Sequence, residues 1–335
     1  MIQPQSKRFQ SCCLLTTATA ALVFCSFAEY SQSPKSSPSA SAASGQARIA
    51  VKTELVVLPV GVTDAKGDFV SGLTLPDFRV YQDGRLQELT KFQQQDTPVT
   101  VGLIVDHSRS MGPNLPEVAA AVSAFAQSSN PQDEMFVVDF NDDVSVELLS
   151  GKPFTNSAHE LEKAVSAVTA RGRTALYDAV AEGLLHVQLG NWDKRALIIV
   201  SDGDDNASQQ KFSQILALAQ RSQVMIYSIA LVDAEDDGEE RPNVLRRLSR
   251  DTGGIAFFPK SLQSVADISK TIARDLREQY TLGFIPEKTD TADSFRQIKV
   301  KVTAPGRGNL HVRTRPGYFT SEQKQAPAKP GKNAS

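Results

Sequence analysis

The middle of the chain repeats one rhythm: a short apolar run, a polar break, then a longer stretch whose apolar positions recur every three or four residues. Candidate strands run Val99 to Val105, Met135 to Phe140, Val144 to Leu149, Ala196 to Ser201, Val224 to Leu231 and Ile255 to Phe258. Unbroken apolar runs of this length suit strands covered on both faces. Between most of them lie amphipathic patterns. In "LPEVAAAVSAFAQSS", Val118, Val122, Phe125 and Ala126 share one helical face, and "TALYDAVAEGLLHVQL", "KFSQILALAQRS" and "LQSVADISKTIARDLREQ" read the same way. Strand and helix in alternation predict a doubly wound α/β domain with a mostly parallel sheet over residues 98–279.

The flanks keep a different period. Residues 48–97 contain short apolar or alternating runs punctuated by Asp-Ala-Lys-Gly and Gln-Asp-Gly, the composition of strands joined by tight turns. In residues 280–320, Ile298, Val300 and Val302 alternate with Lys299 and Lys301, as on a strand with one wet face. Neither flank is long enough to bury a core alone. Together they predict one β-sandwich-like module into which the α/β domain is inserted.

Composition adds little to this picture. The chain has 335 residues, 41% hydrophobic and 22% charged, with a formal net charge of -2. That balance offers no basic face for a nucleic acid. The N-terminus says more. Lys7 and Arg8 precede the uncharged "CCLLTTATAALVFCSFA", and Ser26 and Ala28 are small where a signal peptidase reads. Residues 1–28 are therefore expected to be an export signal, leaving a periplasmic or extracellular mature chain without a transmembrane span. Lipoprotein processing at Cys25 and an uncleaved anchor are the competing readings, and the bulk of Phe24 stands against the first. All three cysteines lie in this segment, so the mature chain would hold neither disulfides nor thiolate metal sites. Residues 29–47 and 321–335, rich in Ser, Ala, Pro and Lys, read as a disordered linker and tail.

The chemistry lies where the first central strand ends. "TVGLIVDHSRSMG" finishes an apolar run with Asp106, Ser108 and Ser110 on alternate positions. In open α/β sheets, ligands sit beyond the carboxyl ends of the strands. Asp202 follows the strand "ALIIVS", and if the two strands are neighbours, the two carboxylates meet at one edge. Carboxylates sharing a site repel unless a proton or a cation lies between them. Thr174 in "ARGRTALYDAV" offers a further hydroxyl at the start of a helix. These are hard oxygen donors, suited to Mg²⁺, Mn²⁺ or Ca²⁺ and not to zinc or copper.

"DHSRS", the Thr of "GRTALYDA" and the Asp of "VSDGDDN" resemble the three segments of the metal-ion-dependent adhesion site of von Willebrand factor type A domains. The flanks, with "GLTLPDFRVYQDG" and "YTLGFIP", are similar to the secreted, acidobacterial-type VWFA-related proteins. The resemblance implies that Ser108, Ser110 and Thr174 ligate a divalent cation, Mg²⁺ foremost. Asp106 and Asp202 would be bound directly or through water, and a protein partner's acidic residue would take the remaining position. The family commonly carries Gly where this chain has Arg109, so a guanidinium stands beside the cation, where it would either weaken metal binding or help hold an acidic ligand.

Other motifs are plainer. "SDGDDN" lacks the later bidentate Glu of an EF-hand loop, and the acidic run 233–240 reads as a solvated loop. Asp178, one turn into its helix, fits either support of the metal site or the helix dipole. No serine or cysteine comes with a recognisable base, and no Gly-rich phosphate cradle follows a strand. The expectation is a secreted, non-enzymatic module that binds a protein through a cation. The alternatives are a constitutive subunit of an envelope complex with a structural metal, and a metal-assisted hydrolase built on Asp106, His107 and Ser108. N-terminal sequencing of the exported protein is expected to start near Glu29, and an intact Met1 on the mature protein would overturn the export reading.

Overall fold

A computed structural model of the chain describes residues 55–94, 96–146, 148, 151–231, 240–287 and 294–320. The expected export signal, the linker, the tail and residues 233–239 of the acidic run lie outside the described residues.

Four strands lead the described chain: β1 (Val56–Thr63), β2 (Phe78–Gln82), β3 (Arg85–Gln87) and β4 (Leu89–Gln93). The alternating region follows with β5 (Thr100–Asp106), α1 (Leu115–Ser128), β6 (Glu134–Phe140), β7 (Val144–Val146), α2 (Ala158–Ala167) and α3 (Leu176–His186). It continues through β8 (Arg195–Ser201), α4 (Phe212–Ser222), β9 (Met225–Ala230), α5 (Glu240–Thr252), β10 (Ala256–Phe257) and α6 (Val265–Glu278). The chain then returns to strands: β11 (Tyr280–Phe284), β12 (Phe295–Val302), β13 (His311–Arg313) and β14 (Gly317–Phe319).

The alternating region builds a six-stranded sheet in the order β10-β9-β8-β5-β6-β7, parallel except for the β6–β7 pair. Every residue of β5 is buried, because helices cover both faces. On one face Val101, Leu103 and Val105 pack with the apolar sides of α1, α2 and α6. On the other, Ile104 joins α3, α4 and α5. Gly102 has no room for a side chain, since a Cβ there would lie 2.5 Å from the Phe136 ring and 2.6 Å from Leu197. The doubly wound expectation holds.

Two helices were not named among the amphipathic patterns above. α2 is short and charge-rich, yet Ser157 caps it through Glu160 N–H at 3.3 Å while Leu161, Ala164 and Val165 go into the core. α5 carries a Pro and four Arg, and it is held through buried Leu245 and Leu248. In both, apolar positions three or four apart face the sheet.

Strands from the two flanks pair with each other in two antiparallel sheets, ordered β13-β1-β11-β4 and β14-β12-β2-β3. Their inner faces share one core that includes Leu58, Val60, Phe78, Val80, Leu282 and Ile298. Tyr280 stands at its centre, 5.0 Å from the Phe78 ring, and its hydroxyl accepts from Leu73 N–H and donates to Val70 C=O. No helix among the described residues is long and apolar enough to cross a membrane.

At the edge of the parallel sheet where β5 and β6 begin, Asp133 is 6% exposed and accepts from Val99 N–H at 2.8 Å and Asn130 N–H at 3.0 Å. Burial pushes its carboxyl up to about 6 from 3.8, against the lowering effect of those hydrogen bonds. The native state thus keeps a proton that the unfolded chain releases, so this group's stabilisation is lost as pH rises from about 4 to about 6. The loss should be on the order of 1–3 kcal/mol. Asp133→Asn cannot titrate, so its unfolding free energy in urea should vary less steeply than wild type's between those pH values. Parallel profiles would overturn this assignment.

Candidate metal centre

β5 and β8 are parallel neighbours in register Val105↔Val200, so Asp106 and Ser201 end their strands at the same level. From β5 the chain winds outward through β6, and from β8 through β9 and β10, which makes this the switch point of the sheet. Asp106, Ser108, Ser110 and Asp202 are joined there by a chain of hydrogen bonds. Asp106 Oδ1 accepts from Ser108 N–H at 2.8 Å, Ser108 Oγ lies 3.1 Å from Ser110 Oγ, and Ser110 Oγ donates to Asp202 Oδ2 at 2.7 Å.

Thr174 arrives from a third loop. Arg171 N–H donates to His107 C=O at 2.9 Å, and Arg109 N–H to Gly172 C=O at 3.4 Å, which lays the 170s loop against the β5 loop. Asn206 fixes Thr174 from the β8 side: its Oδ1 accepts Thr174 N–H at 2.9 Å, and its own N–H donates to Thr174 C=O at 2.9 Å. Among the described residues no hydrogen bond joins the Thr174 hydroxyl to the other four, so its membership rests on loop position.

Asp106, Ser108 and Thr174 are buried, Asp202 is half-buried and Ser110 is exposed, so the group forms a floor with an open mouth. Burial pushes the Asp106 carboxyl up to about 6, against hydrogen bonds from Ser201 and Ser108, and the charge of Asp202 adds to the rise. Arg109 and Arg171 stand exposed on two of the three loops.

Helix capping, the ordinary use of such residues, does not consume these hydroxyls. Ser108 makes no side-chain cap to the 3₁₀ turn Arg109–Asn114, and α3 starts after Ala175. The first N–H groups of α3 are satisfied from elsewhere: Tyr177 N–H donates to Asp205 Oδ1 and Ser208 Oγ, and Asp178 N–H also to Ser208 Oγ. Asp178 answers by accepting Gln209 and Gln210 N–H at 2.8 and 3.0 Å, so its role is to clamp the β8 loop to the helix. Two carboxylates and three hydroxyls are a donor set that fits a hard divalent cation, which would also relieve the raised Asp106.

His107 turns away from this edge. It is fully buried, its Nε2 lies 3.0 Å from Val165 C=O, and its Nδ1 lies 3.3 Å from both Val105 C=O and Asp139 Oδ1. Burial lowers its pKa. Both ring nitrogens are engaged inside the core, so the ring is not placed to act as a base on Ser108.

The sequence reading missed Ser201 and Asn206. Ser201 Oγ donates to Asp106 Oδ2 at 2.6 Å and accepts from Gly203 N–H at 3.0 Å, beneath the site. Read as the last residue of an apolar strand, it gave no signal apart from being the one hydroxyl in "ALIIVS".

A family model for the von Willebrand factor type A domain matches residues 101–271. No curated protein matches the chain. Among solved structures, a von Willebrand factor type A protein from Catenulispora acidiphila is 12% identical, with 76% of each chain covered and a TM-score of 0.49. An aerotolerance-related membrane protein from Bacteroides fragilis is 15% identical, covering 53% of this chain and 98% of its own at a TM-score of 0.42. The vWF domain of a type V pili tip protein from Porphyromonas gingivalis is 12% identical, covering 58% and 99% at a TM-score of 0.44.

Replacing Ser201 by Ala removes a charge-assisted bond to a buried carboxyl and leaves Gly203 N–H without its acceptor. A loss of about 1–3 kcal/mol in urea unfolding is expected, with far-UV circular dichroism unchanged. Wild-type stability in this variant would show that Ser201 does not support Asp106.

Proposed function

Since the chain belongs to the von Willebrand factor type A domain family, we propose that it is an exported, non-enzymatic binding protein that captures an acidic group of a protein partner through a divalent cation. Asp106, Ser108, Ser110, Thr174 and Asp202 would hold the cation, Mg²⁺ foremost, with Mn²⁺ and Ca²⁺ as the other hard candidates. The bound ion would supply a positive charge that is only partly neutralised, able to attract a carboxylate from outside.

One observation carries this reading. Three loops converge on one edge with hydroxyls that capping does not use, around a buried carboxylate that burial and Asp202 drive toward its protonated form. The exposure of Ser110, next to buried Asp106 and Ser108, leaves the mouth open for a partner. Arg109 and Arg171 on the rim favour an acidic ligand over a basic one, by complementarity of charge.

Titration calorimetry with Mg²⁺, Mn²⁺ and Ca²⁺ tests the site directly. Asp106→Ala should lose at least about tenfold in metal affinity, a charged ligand being worth more than a neutral one, and Thr174→Ala should lose less. Capture of a partner from the native envelope fraction should require the cation and fail with a chelator. Unchanged metal affinity in Asp106→Ala, or capture indifferent to chelation, would overturn the proposal. Fixed-stoichiometry copurification that survives chelation would instead favour a constitutive subunit.

A further inference from the structure

A second cleft, of about 760 Å³, opens between the α/β domain and the β module, where α5 and the β10 edge face β12 and β13. It is built from residues other than those at the switch point. Among the described residues, five cationic side chains line it, Arg246, Arg250, Lys299, Arg313 and Arg315, and no acidic one. Two of the five are answered: Arg313 pairs with Asp275, and Arg250 lies 2.9 Å from Asp251. Arg246, Lys299 and Arg315 have no carboxylate partner among the described residues.

Arg315 is the informative one. It is 6% exposed, and its Nη2 donates to Val57 C=O at 2.9 Å, while Nε and Nη1 are buried with no acceptor among the described residues. A guanidinium carries five N–H donors, and burying them unpaired costs more than almost any other polar arrangement. Burial lowers its pKa to about 10, which leaves it charged at neutral pH, and its ionisable neighbour is Tyr318. Its guanidinium also lies over the Tyr318 ring, 5.7 Å from Cζ to the centroid, and among the described residues neither its neighbours nor the cleft walls supply a counter-anion. Most of the remaining lining is apolar, including Ile255, Val312 and the Phe258 ring, over which Arg246 stacks at 4.2 Å.

We propose that this cleft is a binding site for a small organic oxyanion, a carboxylate or phosphate on a flat apolar body, with Arg315 as the deep anchor and Lys299 and Arg246 at the mouth. The guanidinium fork matches the two oxygens of either head group. The apolar body replaces water on Phe258 and its neighbours. The site is independent of the cation at the switch point, and its ligand need not be the protein partner.

The test uses the full chain freed of metal by dialysis, so that the switch-point edge cannot contribute through a cation. Phenyl phosphate and benzoate are titrated by calorimetry, with phenol as the neutral control. At least one acid should bind about tenfold or more tightly than phenol, and the preferred acid identifies the head group. Arg315→Met, which keeps the length and removes the charge, should weaken that binding by about tenfold, and Lys299→Ala by a smaller factor. Should Arg315→Met not fold, Lys299→Ala and Arg246→Ala on the cleft mouth decide between the outcomes. Binding of neither acid, phenol bound as tightly as the acids, or wild-type affinity in the folded variants would overturn the proposal.

Discussion

The pairing of β4 with β11 is the constraint on which the architecture rests. β4 is the last strand before the α/β domain and β11 the first after it, and they run antiparallel with Phe92 opposite Leu282. The two ends of an excursion of more than 180 residues are thereby held at the spacing of neighbouring strands, about 5 Å. Closing a loop of that length costs little more than closing a short one, because the entropy grows only with the logarithm of length. The β module in turn needs both flanks, since β1 pairs with β11 and β13, and β2 with β12. A second fastening lies at the seam. Arg313 on β13 reaches across to Asp275 on α6 and to Gly253 C=O after α5, and Asp275 also accepts from the Tyr227 hydroxyl and Gln279. With partners on both sides this half-buried pair is satisfied, which fixes how the module meets the domain; loss of Arg313 would leave Asp275 without its charged partner, held by the Tyr227 hydroxyl and Gln279.

At the opposite end of the sheet the controlling feature is a carboxyl without water. Asp106 ends a strand buried on both faces, and its oxygens are held by Ser201 and by Ser108 N–H. These bonds orient it but do not restore the solvation it has lost, and so its pKa stays raised. A proton relieves such a carboxyl, and under the proposed function a cation would do the same. The loops above it are tied to one another by backbone bonds, with the β8 loop capping α3 through Asp205 and Ser208 and α3 gripping that loop through Asp178. A floor preorganised in this way spares a ligand the cost of ordering it.

Much of this was legible in the amino-acid sequence, for reasons that are local. Val101, Leu103, Val105 and Ile104 form an unbroken apolar run because helices lie on both faces of β5, and the run announces itself in consecutive residues. Ile298, Val300 and Val302 alternate with lysines because β12 has one dry face. The helices α1, α3, α4 and α6 carry their periodicity within themselves. α2 and α5 carry it as well, in Leu161, Ala164 and Val165 and in Leu245 and Leu248, though neither was named among the expected helices. At the site, the alternation of Asp106, Ser108 and Ser110 could be seen, whereas Ser201 and Asn206 looked like ordinary strand-end and loop residues.

By itself, then, the sequence determined periods, and with them the class of each long element and the presence of oxygen donors at the ends of two strands. Tertiary structure decided adjacency. That β5 lies beside β8, that Asn206 holds Thr174, that His107 turns into the core and that Arg315 faces a cleft without an acid all depend on pairings between residues far apart in the chain. Periodicity is a property of neighbours along one segment, and it carries no information about which segment will lie alongside. The order of strands is settled only when the apolar faces are buried together, and the chemistry of both clefts follows from that order.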